Sequence, residues 1–76
     1  MNKLTKILAR ILEIDERKIN NQTSPQNTPT WDSYNALLMV SEIEDAFGKN
    51  FTMTEVMKVK NVGDIKKVLR RHGVKI

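Results

Sequence analysis

Residues 19–31, INNQTSPQNTPTW, hold no periodic apolar positions, and they lie between two segments that do. Asn, Gln, Thr, Ser and two prolines favour turns over helix or strand, so this stretch reads as a long connection. A connection of that length is uncommon in a chain of 76 residues and restricts what the rest can build. The remaining residues must form short elements on one shared core, because a chain this small buries only about 60% of the surface its unfolded form exposes. The expectation is a single domain over residues 1–76. A self-contained active site with pocket and lid does not fit this length; a module that serves other proteins does.

The elements read as helices. Leu4, Ile7, Leu8, Ile11 and Leu12 recur at helical spacing as one apolar stripe, with Lys3, Lys6, Arg10 and Glu13 off it. That pattern predicts a first helix over about residues 2–13. Asp32 is a good N-cap for a second helix that runs to Phe47 and stops at Gly48. Steps of about 100° per residue group Ala36, Leu37, Val40, Ile43 and Phe47 on one side of it. Tyr34, Asn35, Leu38, Ser41, Glu42 and Asp45 fall on the other. Thr52 and Glu55 have capping-box spacing, which predicts a third helix of one or two turns before Val59. Asn61 caps a fourth, with Asp64 in its first turn and Gly73 at its end. Its buried stripe is Val62, Ile65, Val68 and Leu69, and Lys66, Lys67, Arg70 and Arg71 stay outside. The fold class is therefore all-α, a small four-helix bundle with a long first loop and a short third helix. Trp31 is expected to pin the loop to the bundle, and Met39, Met53 and Met57 to fill core space. His72 is expected to complement the C-terminus of the last helix.

Several function classes fall away. Without cysteine there is no disulfide framework and no thiolate metal site, and a lone His72 argues against a histidine metal or triad site. No apolar run is long enough to span a membrane. Arg10 and Glu13 interrupt what would have to be a signal-peptide core, so a cytoplasmic protein is expected. The net charge of +4 raises a nucleic-acid or anionic-membrane partner. Its distribution counts against nucleic acid: residues 1–31 carry +2, residues 32–47 carry −4 and residues 48–76 carry +6. The acidic central helix would repel phosphates, and the basic face of the fourth helix reads as a solvated face.

Ser33 stands directly after the N-cap Asp32, so its hydroxyl is expected in a first helical turn. Free N–H groups and the positive end of the helix dipole favour a phosphate ester there. A serine at that place is usually only a helix-start residue. Its surroundings add more. The segment WDSYNALLMVSEIEDAFG, residues 31–48, resembles the phosphopantetheine attachment segment of acyl carrier proteins. Asp32 and Ser33 match the family's Asp-Ser, Leu37, Val40 and Ile43 its apolar positions, and Glu44 to Gly48 its closing residues. Asn61-Val62-Gly63-Asp64 resembles the Val-Gly-Asp that opens the family's last helix. The likeness extends over essentially the whole chain, since the first helix, the DERKIN turn and the TSPQNTPTW loop fall where the family has them. Tyr34 departs from the family's Leu, Asn35 and Leu38 replace residues that are commonly acidic, and the basic net charge is atypical. Trp31 before Asp-Ser is similar to stand-alone carriers of specialised pathways.

The resemblance implies that Ser33, preceded by Asp32, receives a covalent 4′-phosphopantetheine arm. A separate phosphopantetheinyl transferase would take it from coenzyme A with Mg²⁺. The arm would hold acyl groups as thioesters for acyl-transferring, ligating or synthase enzymes of a specialised lipid, polyketide or sugar-modification pathway. The protein would be no enzyme, and a monomer is the default for such a shuttle. Docking would centre on Tyr34, Leu38, Glu42, Glu44 and Asp45. Three alternatives stand beside this reading: an aminoacyl or peptidyl carrier, a basic helical nucleic-acid-binding protein, and an unmodified adaptor that binds through the second helix.

Overall fold

The computed structural model describes residues 3–76. Its four helices are α1 (Lys3–Leu12), α2 (Ser33–Phe47), α3 (Met53–Lys58) and α4 (Val62–Arg71). A 3-10 turn, Glu16–Lys18, interrupts the long connection between α1 and α2. No strand occurs among the described residues. The all-α bundle with a long first connection and a short third helix is thus as expected. Residue 2, included in the expected first helix, lies outside the described residues.

The core is built from one stripe of each long helix. Leu4, Ile7, Leu8 and Leu12 of α1 meet Met39 and Ile43 of α2 and Val62, Ile65 and Leu69 of α4, and Trp31 joins them from the loop. The stripes expected for α1 and α4 are the observed ones. The face of α2 is turned from the expected one: Met39 and Ile43 are its fully buried residues, whereas Leu37 is 66% exposed. Ala36, Met39, Ile43 and Phe47 share the narrow sector that looks at α1 and α4, and Leu37 lies beyond its edge. Methionine as core filler holds for Met39 alone. Met53 and Met57, one turn apart on α3, are 72% and 76% exposed. A helix of six residues has room to turn only Val56 inward, so its methionines remain outside.

Three helices end in the same way. In each, an N–H two or three residues past the helix bonds back to a carbonyl five residues earlier: Ile14 to Ala9 (3.2 Å), Lys49 to Glu44 (3.1 Å) and Val74 to Leu69 (3.0 Å). This ending needs a left-handed residue between them. Gly48 and Gly73 supply it after α2 and α4, but after α1 the left-handed residue is Glu13, at φ 56°. There the side chain works against the backbone by roughly 1 kcal/mol. The strain is local to the turn that starts the long connection.

That connection is ordered by its own polar side chains. Asn27 accepts from the N–H of Ser24 (3.0 Å) and donates to the carbonyl of Gln22 (3.0 Å). The hydroxyl of Thr30 donates to the carbonyl of Leu12 (2.6 Å), satisfying one of the free carbonyls at the end of α1. At its other side the loop caps α4. The N–H of Val62 bonds the carbonyl of Thr23 (3.0 Å) and that of Gly63 the carbonyl of Asn21 (2.9 Å). A Cβ on residue 63 would stand 3.2 Å from that same Asn21 oxygen, so the glycine is what lets the loop backbone come so close. Asn61 caps the helix through the N–H of Asp64, as expected, and Asp64 in turn accepts from the N–H of Lys60.

His72 does more than complement a helix end. Its N–H caps α4, while its ring turns to α3, with Nε2 3.0 Å from Oε1 of Glu55 and the ring tilted against Phe51. Glu55 completes the expected capping box with Thr52.

Candidate functional site

Ser33 is the first residue of α2 and is exposed. Asp32 precedes it in extended conformation, and its carboxylate accepts from the N–H of Asn35 at 2.8 Å. Asn35 extends this brace by donating its side-chain amide to the carbonyl of Thr30, 2.8 Å away. The helix start is therefore tied to the loop on both sides of Ser33. Its hydroxyl is left at the positive end of a helix fifteen residues long. A phosphodiester on that oxygen would meet the helix dipole favourably without displacing any packed side chain.

Ser33 also lies at the rim of an apolar cleft of about 330 Å³. Met39, Ile43 and Ile65 form its floor. Leu37 and Val40 of α2, Val56 and Val59 at α3, and Trp31 and Phe51 complete its lining. Its volume falls at the lower end of the range for small-molecule sites, about 300–1,000 Å³, and its lining is almost wholly apolar. Trp31 is a packing residue as expected, and it also forms part of this wall.

The cleft wall contributed by α3 is held by two polar ties. Oε2 of Glu44 accepts from the N–H of Phe51 at 2.7 Å. Glu55 reaches His72, and the N–H of Thr52 together with that ring holds its carboxyl below the usual carboxylate range. No residue of α3 is fully buried.

The residues expected to form a docking surface are divided by the fold. Tyr34 and Leu38 are exposed in the first two turns of α2, close to Ser33. The acidic residues lie in the second half of the helix. Glu42 is paired with Arg10 of α1, Glu44 is engaged by Phe51, and Asp45 is exposed. Lys3 adds positive charge at that end, bonding the carbonyl of Ala46 and lying 4.7 Å above the ring of Phe47. Sequence reasoning missed Leu37 as a surface residue and reached a sheltering space between the second and third helices only through the family resemblance. The usable signal was α3 itself, whose Met53, Val56 and Met57 are more apolar side chains than six residues can bury.

A small helical bundle that presents a hydroxyl at a helix start beside an apolar cleft has the layout of a carrier module. The chain belongs to the acyl carrier protein family: residues 2–69 match the family described as phosphopantetheine attachment site. An acyl carrier protein of Lactobacillus acidophilus is 30% identical over 71 residues, which cover 93% of this chain and 89% of that one. A solved structure of a protein provisionally assigned as an acyl carrier protein, from Mycobacterium tuberculosis, superimposes with a TM-score of 0.81. It is 23% identical, with 91% of this chain and 92% of that one covered, and shows the shared fold. Members of the family are carriers and not catalysts, and they bear a covalent 4′-phosphopantetheine. No described helix is long and apolar enough to cross a membrane.

Proposed function

We propose that Ser33 is the residue that receives the arm, and that the chain carries acyl groups between partner enzymes without catalysing a reaction itself. One observation supports this above the others. An exposed hydroxyl stands at the N-terminus of α2, directly after its capping aspartate and on the rim of an apolar cleft.

On this reading Ser33 Oγ forms a phosphodiester as a pyrophosphate bond of coenzyme A breaks. Adenosine 3′,5′-bisphosphate leaves, and the hydroxyl proton passes to the Mg²⁺-dependent transferase. The arm supplies a terminal thiol on which acyl groups are held as thioesters. Asp32 and Asn35 hold the helix start in place so that Ser33 keeps one orientation through many loading cycles. The cleft offers the acyl chain shelter from water, each buried methylene contributing about 0.8 kcal/mol. An apolar lining suits an aliphatic cargo better than an aminoacyl or peptidyl one.

Transferase, ligase and synthase partners would approach the exposed side of α2, in the cytoplasm and in a specialised lipid, polyketide or sugar-modification pathway. A single domain acting as a monomer leaves that side open. The basic face of α4 gives little support to a nucleic-acid partner. Lys66 is bonded to Asn21, Arg70 to the carbonyl of Ile76, and Lys67 lies 4.0 Å from Asp64.

The test is intact-protein mass after incubation with coenzyme A, Mg²⁺ and a broad-specificity phosphopantetheinyl transferase. Wild type gains one phosphopantetheine and Ser33→Ala gains none. A wild type that gains nothing, or a Ser33→Ala variant that is still modified, overturns the assignment.

A further inference from the structure

Lys66, Lys67, Arg70 and Arg71 stand on α4 at spacings of one and four residues, away from its buried stripe of Val62, Ile65, Val68 and Leu69. Lys58, at the end of α3, lines a hollow together with Lys67 and Arg71. Lys66, Lys67 and Arg70 line a second hollow with Asn21 and Gln22 of the loop. Lys60 and Lys75 flank the helix in the sequence. Residues 58–75 thus hold seven cations and one side-chain carboxylate, Asp64.

A solvated face is ordinarily composed differently. Such faces mix both signs, often with acid and base one helical turn apart. Here residues 66 and 70, and likewise 67 and 71, are like-charged pairs one turn apart, which work against the helix. The contacts these side chains make leave most of the charge in place. Lys66 bonds the neutral side-chain amide of Asn21, and Asp64 lies 4.0 Å from Lys67 alone. Lys58, Lys60, Arg71 and Lys75 meet no carboxylate among the described residues.

The rest of the face narrows the kind of partner it fits. The exposed large apolar side chains among the described residues all lie on α2 and α3. The outer side of α4 therefore offers no anchor around which a specific protein interface could form. It carries no aromatic ring on which a base could stack, and Lys66 and Arg70 are bonded back onto the chain. A leaflet of anionic phospholipid needs neither anchor nor ring. It is a plane of phosphates that attracts a cluster of Lys and Arg on one helix face. Residues 32–47, at −4, are repelled by the same plane, so the molecule approaches it with α4 first and α2 held off.

We propose that this chain associates peripherally with anionic phospholipid membranes through the outer face of α4, centred on Lys66, Lys67, Arg70 and Arg71 with Lys58 beside them. The contact is electrostatic and inserts no side chain, so it is reversible and weakens as salt screens it. It goes beyond the carrier reading and does not depend on an arm at Ser33.

The experiment is co-sedimentation of the full, unmodified chain with two kinds of vesicle, phosphatidylcholine alone and an equimolar mixture with phosphatidylglycerol, at about 0.05 and 0.5 M NaCl. The expected result is retention on the anionic vesicles only, with an affinity that falls at least about tenfold at the higher salt. Lys67→Gln/Arg71→Gln should lower that affinity about tenfold. Lys6→Gln/Lys18→Gln removes the same charge outside this face and should change it less than about threefold. All four side chains are exposed, and unchanged helical circular dichroism verifies that the fold is intact. No retention on anionic vesicles at low salt, equal retention on neutral ones, or an equal loss in both double variants overturns the proposal. Tighter capture of a single-stranded RNA of mixed sequence at the same salt overturns it too and assigns the face to nucleic acid. Intact mass after transferase treatment reports on Ser33 separately, so the two readings fail independently.

Discussion

Nε2 of His72 lies 3.0 Å from Oε1 of Glu55, joining the end of α4 to the first turn of α3. Both residues are largely shielded, and Phe51, which lines the cleft, packs on the same imidazole. The contact matters because α3 has no fully buried residue to hold it.

His72→Ala is therefore expected to loosen α3 more than it loosens the bundle. Hydrogen exchange should quicken over residues 53–58 while the amides of α1, α2 and α4 keep their protection. Equal acceleration everywhere would show that His72 supports the whole fold and not the cleft wall.

Acid should act at the same place. The N–H of Thr52 and then the ring of His72 hold the Glu55 carboxyl below its ordinary value, so its folded pKa is lower than its unfolded one. The resulting stability is complete above the ordinary Glu value, about 4.3. It is lost as pH falls through the lowered folded value. In an NMR titration, the Thr52 and Glu55 amide signals should shift together at a pH below the ordinary Glu titration. Glu55→Gln should remove that transition.

Gly63→Ala is expected to destabilise the protein by about 1–3 kcal/mol, as an overpacked contact does. The new methyl would stand 3.2 Å from the Asn21 carbonyl, a backbone atom whose place is fixed by the bond it accepts from residue 63. Urea denaturation would measure the loss. A neutral result would mean that the loop moves aside freely.

Glu13→Gly should have the opposite sign. At φ 56° the position asks for a residue without a Cβ, and glycine there should stabilise the native state by about 1 kcal/mol. Its greater freedom in the unfolded chain offsets part of this gain. A raised urea midpoint with an unchanged slope would confirm it.

Filling the cleft should separate loading from shelter. Val56→Phe places a ring in the space between α2 and α3 and leaves Ser33 untouched. In wild type, melting temperature should rise with the length of the attached acyl chain, because each sheltered methylene adds at most about 0.8 kcal/mol. In the variant that rise should flatten early, with the arm still attached at the wild-type rate.

The sequence was most legible where local chemistry is self-sufficient. The stripes of α1 and α4, the capping box at Thr52, the Asp32 and Asn61 caps and the stops at Gly48 and Gly73 each follow from a few neighbouring residues. The rotation of α2 was not legible, because Met39 and Leu37 are both apolar and only the positions of α1 and α4 decide which is buried. Glu13 carries no mark of a left-handed residue, so the end of α1 read one residue long. The position of Ser33 at a helix start followed from Asp32. The cleft beside it did not, since it arises where Phe51, Val56 and Ile65 converge from three separate segments.

The loop carbonyls of Asn21 and Thr23 complete the first turn of α4, while Thr30 completes the last turn of α1 and Trp31 sits in the core. The connection without regular structure is thus a strut between two helices that lie far apart in the chain. Severing it next to either anchor would strip hydrogen bonds from a helix at a distance, much as cutting a tendon disables a joint that the blade never touched. Pro25 and Gln26 are exposed at a turn between the anchors. Asn27 bonds back across that turn to Ser24 and Gln22, so an insertion there would open the loop's own brace before it reached either anchor.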